Sequence, residues 1–410
     1  MLTSFTILPT LFIRRIKAIT PDHYHVTIIN ERYKPVPYTK DIDLVLIHFT
    51  TASATTAYQV ADRFRTMNIP VVLCGLHVSA LPDEGLRHAD SILIGRGETN
   101  WLTLLNDVEN QTLKTIYPPE PYTQKIPPTQ VHLPGFQLMG AIEATRGCPY
   151  TCSFCPESNT PQGSTYYKRP IADVIEEIKK IPQKIIMFYD ASLTIDPTYT
   201  KRLFTEMIPL KKHFFCNGNV DLLATDDELV ALSKKAGCIG WLIGFESISQ
   251  ETINSFQKRT NTVSFYRTVV DRIHHHKMMV IGDFMFGFDT DTPDVFKTTL
   301  DALIDIGVDV ADFTIATPFP GTPFFKQLKS ENRILSKPWD SYTMYSVVYK
   351  PKQMSEKQLN KGIFSVYHQF YSPKQTMTRI LKGMRLGMYP FASILMRNGI
   401  SLIARTKIQH

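Results

Sequence analysis

The stretch EATRGCPYTCSFCPES, Glu143–Ser158, holds three of the chain's six cysteines within eight residues. Cys148, Cys152 and Cys155 follow a Cys-x3-Cys-x2-Cys spacing. Clustered thiolates suit zinc, copper(I) or iron–sulfur clusters. Structural zinc closes on four ligands, usually supplied as two paired halves. The second half is missing here, because Cys74, Cys216 and Cys238 are single and widely separated. A cubane iron–sulfur cluster normally takes four cysteines. With three, one iron keeps an open position for an outside ligand, the logic that separates catalytic from structural metal sites.

Working outward, the cysteines follow the apolar run GAIEAT (140–145). Further runs succeed it: KIIMFYD, HFFCNGNV, CIGWLIGF, MMVIGDFMFGF and VADFTIA. Helical patterns such as Pro170–Ile181, Asp226–Lys235 and Thr292–Ile306 fall between them. Six such units predict a partial (β/α)6 TIM-type barrel, whose reactive groups belong at the C-terminal strand ends. The cysteines lie just after the first strand. Upstream, the runs SFTIL, HVTIIN, IDLVLIH, PVVLC and SILIG alternate with helical stretches at Ala54–Met67 and Gly97–Glu109. That α/β alternation predicts a doubly wound, Rossmann- or flavodoxin-like N-terminal domain. YPPEPYTQKIPPTQVHLPG, with six prolines in nineteen residues, reads as a linker. The expected boundaries are 1–117 for the first domain, 118–138 for the linker, 139–325 for the barrel and 326–410 for a helical C-terminal region.

At 43% hydrophobic and 20% charged, the 410 residues form a globular chain. No apolar run approaches the ~18–20 residues of a membrane span. In MLTSFTILPTLFIRRIKAIT the positive charges follow the apolar stretch, the reverse of a secretory signal. A cytoplasmic protein is expected. The net charge of +7 permits an anionic partner without demanding one, and no nucleic acid is expected. Lys374, Arg379, Lys382, Arg385, Arg397, Arg405 and Lys407 crowd the last 40 positions, which contain no acidic residue. Such a basic amphipathic tail can lie on a membrane surface, or it can be a helical pair packed on the enzyme body. In RIHHHK (272–277) consecutive histidines do not share a helix face, so a solvated helix end is expected and not a metal site.

The cysteine loop resembles that of the radical S-adenosylmethionine enzymes, with Phe154 between the last two cysteines. The resemblance implies a 4Fe–4S cluster on Cys148, Cys152 and Cys155, with S-adenosylmethionine chelating the open iron. GFES (Gly244–Ser247) resembles the family's strand-end cofactor contact, which implies roles for Gly244 and Glu246. TPFPGTP resembles its turn after the sixth strand, near the adenine, which implies roles for Thr317 and Pro318. Many relatives carry two adjacent acids after the second strand. Here only Asp190 remains, followed by Ala191 and Ser192.

Pro70–Leu105 resembles the cobalamin-binding domain of one branch of these enzymes, through Gly75, His77, Gly95, Gly97 and Glu98. Cys74 replaces a glycine of that pattern. Thr51 and Ser53, in HFTTASATTAYQVADRF, resemble the stretch lining the nucleotide tail's pocket. The Asp-x-His-x-x-Gly cobalt-ligating signature is absent, and His77 is read as a packing residue sooner than an axial ligand. Methylthiotransferases carry a second three-cysteine cluster in this domain, which has only Cys74. The resemblance as a whole implies a cobalamin-dependent radical methyltransferase acting on an unactivated carbon, through a 5′-deoxyadenosyl radical and methylcobalamin. The alternative is a cyclase or rearrangement enzyme with the same cofactors and no methyl transfer. A small-molecule, lipid, peptide or protein substrate and a reducing partner such as flavodoxin or ferredoxin are implied. No acid–base catalytic residue stands out.

Overall fold

The computed structural model describes residues 11–31, 34–120, 138–161 and 163–407. The run SFTIL and nearly all of the Pro-rich linker lie outside the described residues. Strands β1 (Val45–His48), β2 (Val71–Cys74), β3 (Ser91–Leu93) and β4 (Ile116–Tyr117) form a parallel sheet in chain order. β2 is apolar throughout because both its faces are covered. On one face, helix Ala54–Thr66 sets Ala57, Tyr58, Ala61 and Phe64, at helical spacing, against Val71 and Leu73. On the other, Ile16 of helix Leu11–Ile19 joins Trp101 and Leu104 of helix Trp101–Glu109 over Val72, Cys74 and Leu93.

The domain is thus Rossmann-like, with helices on both faces, and no reversal of order occurs among the described strands. One expected strand does not form. HVTIIN (25–30) keeps an alternation of half-buried and exposed side chains but pairs with no neighbour, and remains an extended loop. Its pattern reflects packing on a surface without a ladder. β4 takes the place of a fourth strand, at a position that sequence pattern did not mark.

The second unit contains β5 (Gly140–Ile142), β6 (Thr145–Arg146), β7 (Tyr167–Lys168), β8 (Ile185–Phe188), β9 (His213–Asn217), β10 (Cys238–Glu246), β11 (Met279–Phe286) and β12 (Val310–Ile315). β6 and β7 pair antiparallel beside the cysteine loop. The other six form one open parallel sheet in the order β5-β8-β9-β10-β11-β12, the expected partial barrel. Its helices start where the sequence caps them. Asp196, Asp226 and Thr322 accept from the backbone N–H of Tyr199, Leu229 and Phe325, each worth about 1 kcal/mol. The helix Pro323–Ser330 runs through position 325, so the sixth unit ends at Ser330.

Alternate residues on β11 and β12 divide the barrel. Phe284, Phe286 and Phe313 pack outward under the helices, whereas Met279, Ile281 and Val310 face a floor made by Leu386 and Ile394. Ile394 belongs to helix Met388–Lys407, Leu386 to the turn before it, and Ile380 of helix Pro373–Gly383 packs beside them, so the C-terminal helical pair is packed on the enzyme body. Asn398 ties it down, donating to the Asp309 carbonyl at 3.0 Å and accepting from Arg379 Nε at 2.9 Å.

A segment after the barrel reaches back to the first domain. Trp339 Nε1 donates to Glu84 Oε1 at 2.8 Å, and its ring stands edge-on to His77 at 4.9 Å. Trp339→Ala removes a ring contact and leaves Glu84 short of a donor, so a loss of about 2–4 kcal/mol is expected. Urea unfolding followed separately by barrel and first-domain probes checks this, and the first domain is expected to loosen first.

Candidate active site

The cysteine loop is held at both ends by polar contacts that its own sequence does not reveal. Asp190, just after β8, is fully buried. Its Oδ1 accepts from Thr145 N at 2.5 Å and Thr145 Oγ1 at 2.7 Å, and from Ala144 N at 3.1 Å. Burial pushes the Asp190 carboxyl up to about 7, against the hydrogen bonds from Thr145. The single surviving acid of the second strand is therefore spent on the loop's backbone. Gly147 turns the chain at φ +74°, where a Cβ would lie 2.1 Å from the Thr165 carbonyl. Beyond the cysteines, Asn159 Nδ2 donates to the carbonyls of Cys155 at 2.8 Å and Cys152 at 3.0 Å. Phe154 packs edge-on to Phe256 at 5.1 Å and to Phe288 at 6.1 Å, so it pegs the loop into the barrel mouth.

Cys152 is buried, while Cys148 and Cys155 are half-buried. Burial raises the Cys148 thiol and pushes Cys152 up to about 12, with Lys258 opposing the latter. Thiols so disposed need a cation to become thiolates, and cluster iron supplies one. Among the described residues, no three His, Cys, Asp or Glu side chains converge on a single metal ion. A cubane does not ask for that, since each thiolate binds its own iron. Cys216 and Cys238 lie in the barrel core, away from the loop, and supply no fourth ligand.

Opposite the loop, β10 ends in Gly244 and Glu246. Glu246 has φ +62°, in the left-handed region uncommon for non-glycine residues, at the point where the β10–β11 register shifts. Lys258 Nζ donates to Glu246 Oε1 at 2.5 Å and to the Gly244 carbonyl at 2.7 Å. A side chain at 244 would meet both charged groups, at 2.4 and 2.6 Å, so Gly244 makes room for this pair. Burial lowers the Lys258 ammonium, but Glu246, Cys152 and Cys155 outweigh it and the net shift is upward. A cation thus stands between the carboxylate and the cysteines, which suits a zwitterionic amino acid and an anionic cluster. Lys258 was invisible in the sequence because it sits in an ordinary helix-end run, QKRTN.

Below, the barrel lumen holds a pair of carboxylates. Asp283 and Asp312 are register partners on β11 and β12. Burial, then Asp312 and Glu246, raise Asp283 to about 8, and Arg397 Nη2 donates to Asp312 Oδ2 at 3.1 Å. Each aspartate interrupts an apolar strand, and that was the available signal.

The first-domain residues fall into two groups. Thr51 Oγ1 lies 3.3 Å from His77 Nδ1, and Glu84 Oε1 lies 3.3 Å from His77 Nε2. Both ring nitrogens are engaged and His77 is buried, so no nitrogen is left for cobalt. Gly75, at φ +117°, has the Phe49 carbonyl where a Cβ would be, at 2.2 Å. Its lack of a side chain serves the domain's own backbone. Ser53 is exposed. Gly95 N donates to Ser79 Oγ at 2.9 Å. Thr317 and Pro318 are buried in the turn after β12, and a Cβ on Gly321 of that turn would sit 3.1 Å from Ala80 Cβ. The first domain and the barrel thus approach each other closely at Ala80 and Gly321. A surface hollow of about 720 Å³ near Asp62, Pro70 and Asp90 lies at the opposite strand ends, away from this chemistry.

Glu98, in the turn whose motif implies ligand contact, is engaged within the chain. Arg146 Nη2 donates to Glu98 Oε1 at 2.9 Å and Arg146 Nε to Glu143 Oε2 at 2.8 Å. Arg15 Nη1 reaches Glu143 at 2.5 Å, and Arg96 bonds Glu143 at 2.9 Å and also Glu157. Arg146 precedes the first cysteine by two residues and Glu157 follows the last by two. The Gly95–Glu98 turn thus grips the cysteine loop at both ends. Burial raises Glu98 to about 7, against Arg15 and Arg96.

Among the RIHHHK histidines, His274 pairs with Asp309 at 2.8 Å and His276 with Asp227 at 3.0 Å. They hold separate structural partners, as their non-shared faces require.

Cys148→Ala, Cys152→Ala and Cys155→Ala are each expected to lose the cluster, whereas Cys216→Ala keeps wild-type iron content. Iron and sulfide analysis after anaerobic reconstitution decides. Asp190→Asn removes one acceptor from three loop donors at a cost of about 1–3 kcal/mol. It is expected to lower iron retention during gel filtration while the barrel stays folded by circular dichroism.

Comparison with known proteins places these features. Residues 142–303 match the profile of the Radical SAM superfamily. Bacteriochlorophyllide d C-12(1)-methyltransferase of Chlorobaculum tepidum is 28% identical over 398 residues, covering 93% of this chain and 86% of that protein. The C-8(2)-methyltransferase of the same organism is also 28% identical, covering 90% and 86%. The solved structure of the radical S-adenosylmethionine methyltransferase TsrM from Kitasatospora setae, with cobalamin and an iron–sulfur cluster bound, superposes with a TM-score of 0.67 at 13% identity, covering 89% of each chain. Residues 142–303 thus carry a radical S-adenosylmethionine domain, and over nearly its whole length the chain is similar to these methyltransferases and shares the fold of TsrM.

Proposed function

We propose that the protein is a cobalamin-dependent radical S-adenosylmethionine methyltransferase that methylates an unactivated carbon of a tetrapyrrole-type substrate. The observation that carries this reading is near-full-length similarity to two bacteriochlorophyllide methyltransferases. When bound, the cluster supplies the electron that cleaves S-adenosylmethionine, and the corrinoid supplies the methyl group. The chain's part is to align and enclose. Cys148, Cys152 and Cys155 hold the cluster, Glu246 and Lys258 take the amino acid end of S-adenosylmethionine, and the Phe154–Phe256–Phe288 group keeps water from the mouth. Asp283, Asp312 and Arg397 present polar groups to the lumen, where pyrrole N–H donors or propionate acceptors of a substrate find partners. A small soluble reductant, flavodoxin or ferredoxin, delivers the electron. The enzyme works in the cytoplasm, with any membrane contact confined to its C-terminal helices.

The atoms balance over two molecules of S-adenosylmethionine. One gives its methyl group and leaves as S-adenosylhomocysteine. The other takes one electron and leaves as methionine and 5′-deoxyadenosine, which carries away the substrate hydrogen; a second electron from the reductant restores the corrinoid, so each turnover draws two. With the true substrate, the two nucleoside products are expected in about equal amounts, beside a product heavier by one methylene. Deoxyadenosine alone, alongside substrate conversion, rejects methyl transfer and favours ring closure or rearrangement.

A further inference from the structure

We propose that the outer face of the two C-terminal helices is a docking surface for an anionic lipid bilayer. Helix Met388–Lys407 spends its inner face on the barrel floor through Ile394 and Asn398. Its outer side carries Leu395, Met396, Ile400 and Ile403, the last three spaced one helical turn apart and all four 38–59% exposed. A helix on a globular body normally turns its polar side to water. This one turns apolar side chains both inward and outward.

The preceding turns extend the stripe. Met377, Leu381, Met384 and Met388 recur every three or four residues and are 53–72% exposed. Gly383 lies against Ile394, so the two helices pack together there. Single exposed apolar residues mean little, but eight along two adjoining helices and the turn between them mark an interaction site.

Charge selects the occupant. Arg379 and Arg397 point inward, Arg379 stacked on Phe370 at 3.8 Å and bonded to Asn398, Arg397 paired with Asp312. The exposed cations Lys374, Lys382 and Arg385 flank the stripe, and no acidic residue occurs from Pro373 to the C-terminus. A second copy laid on this face would set cations against cations. A plane of anionic headgroups meets them with opposite charge while the methionines and leucines enter the acyl boundary. No helix among the described residues is long and apolar enough to cross a membrane, so the contact is interfacial.

The test is co-sedimentation of the full-length protein with phosphatidylcholine vesicles, with and without phosphatidylglycerol. Binding to the anionic vesicles only, and release as salt rises from about 0.1 to about 1 M, are expected. At ~1 kcal/mol per basic side chain, the triple variant Lys374→Gln, Lys382→Gln, Arg385→Gln is expected to bind roughly a hundredfold more weakly. Leu381→Ser with Ile403→Ser, both at exposed positions, is expected to abolish binding. Iron content and solution cleavage of S-adenosylmethionine stay at wild-type levels in every variant, so this outcome is read independently of the reaction. Two results overturn the proposal. One is wild-type protein that ignores anionic vesicles. The other is concentration-dependent dimerisation that Ile403→Ser abolishes, which assigns the face to a second copy.

Discussion

A buried ionic clasp determines where the cysteine loop can be. Arg15, Arg96 and Arg146 meet Glu98, Glu143 and Glu157 at the junction of the two domains, three arginines for three glutamates, with Arg96 and Glu157 partly exposed. Charges removed from water cost several kcal/mol each, and only close pairing repays it. Breaking one partner of such a set typically costs about 3–5 kcal/mol, because the remaining charge stays buried.

The consequence is a coupling between halves that simple covalent order would leave independent. The Gly95–Glu98 turn ends the third unit of the first domain, yet two of its side chains hold Arg146 and Glu157 on either side of the cysteines. Trp339, bonded to Glu84 and packed on His77, closes the same domain from the barrel's far end. A reaction that must bring a hydrogen-abstracting centre and a methyl donor to one carbon gains from such fixed geometry.

The barrel was legible in the sequence because each of its strands is a compact apolar run bounded by capped helices. The first domain was nearly as clear, apart from HVTIIN, whose alternation signals a half-buried surface and not a ladder. The cysteines were readable from spacing alone. The roles of their neighbours were not. Glu98 and His77 sit in a motif that suggests ligand contact, and the structure engages them with Arg146, Thr51 and Glu84. Asp190 looked like a remnant of an acidic pair and instead holds the loop's amides. Lys258 and Arg96 act only through residues distant in sequence, so no local pattern could reveal them. The basic C-terminal segment looked uniform, yet Arg379 is bonded to Asn398 and Arg397 to Asp312, and the uncovered apolar stripe depends on which helix face the barrel consumes.

The account centres on three thiolates leaving one iron open beside Lys258 and Glu246. Mössbauer spectroscopy of protein reconstituted with iron-57, before and after adding S-adenosylmethionine, tests this most directly. The expected result is that a single iron site changes its isomer shift when S-adenosylmethionine binds, while the others stay as they were. Iron sites that all remain alike after the addition, or a preparation that takes up zinc and builds no cluster, would contradict it.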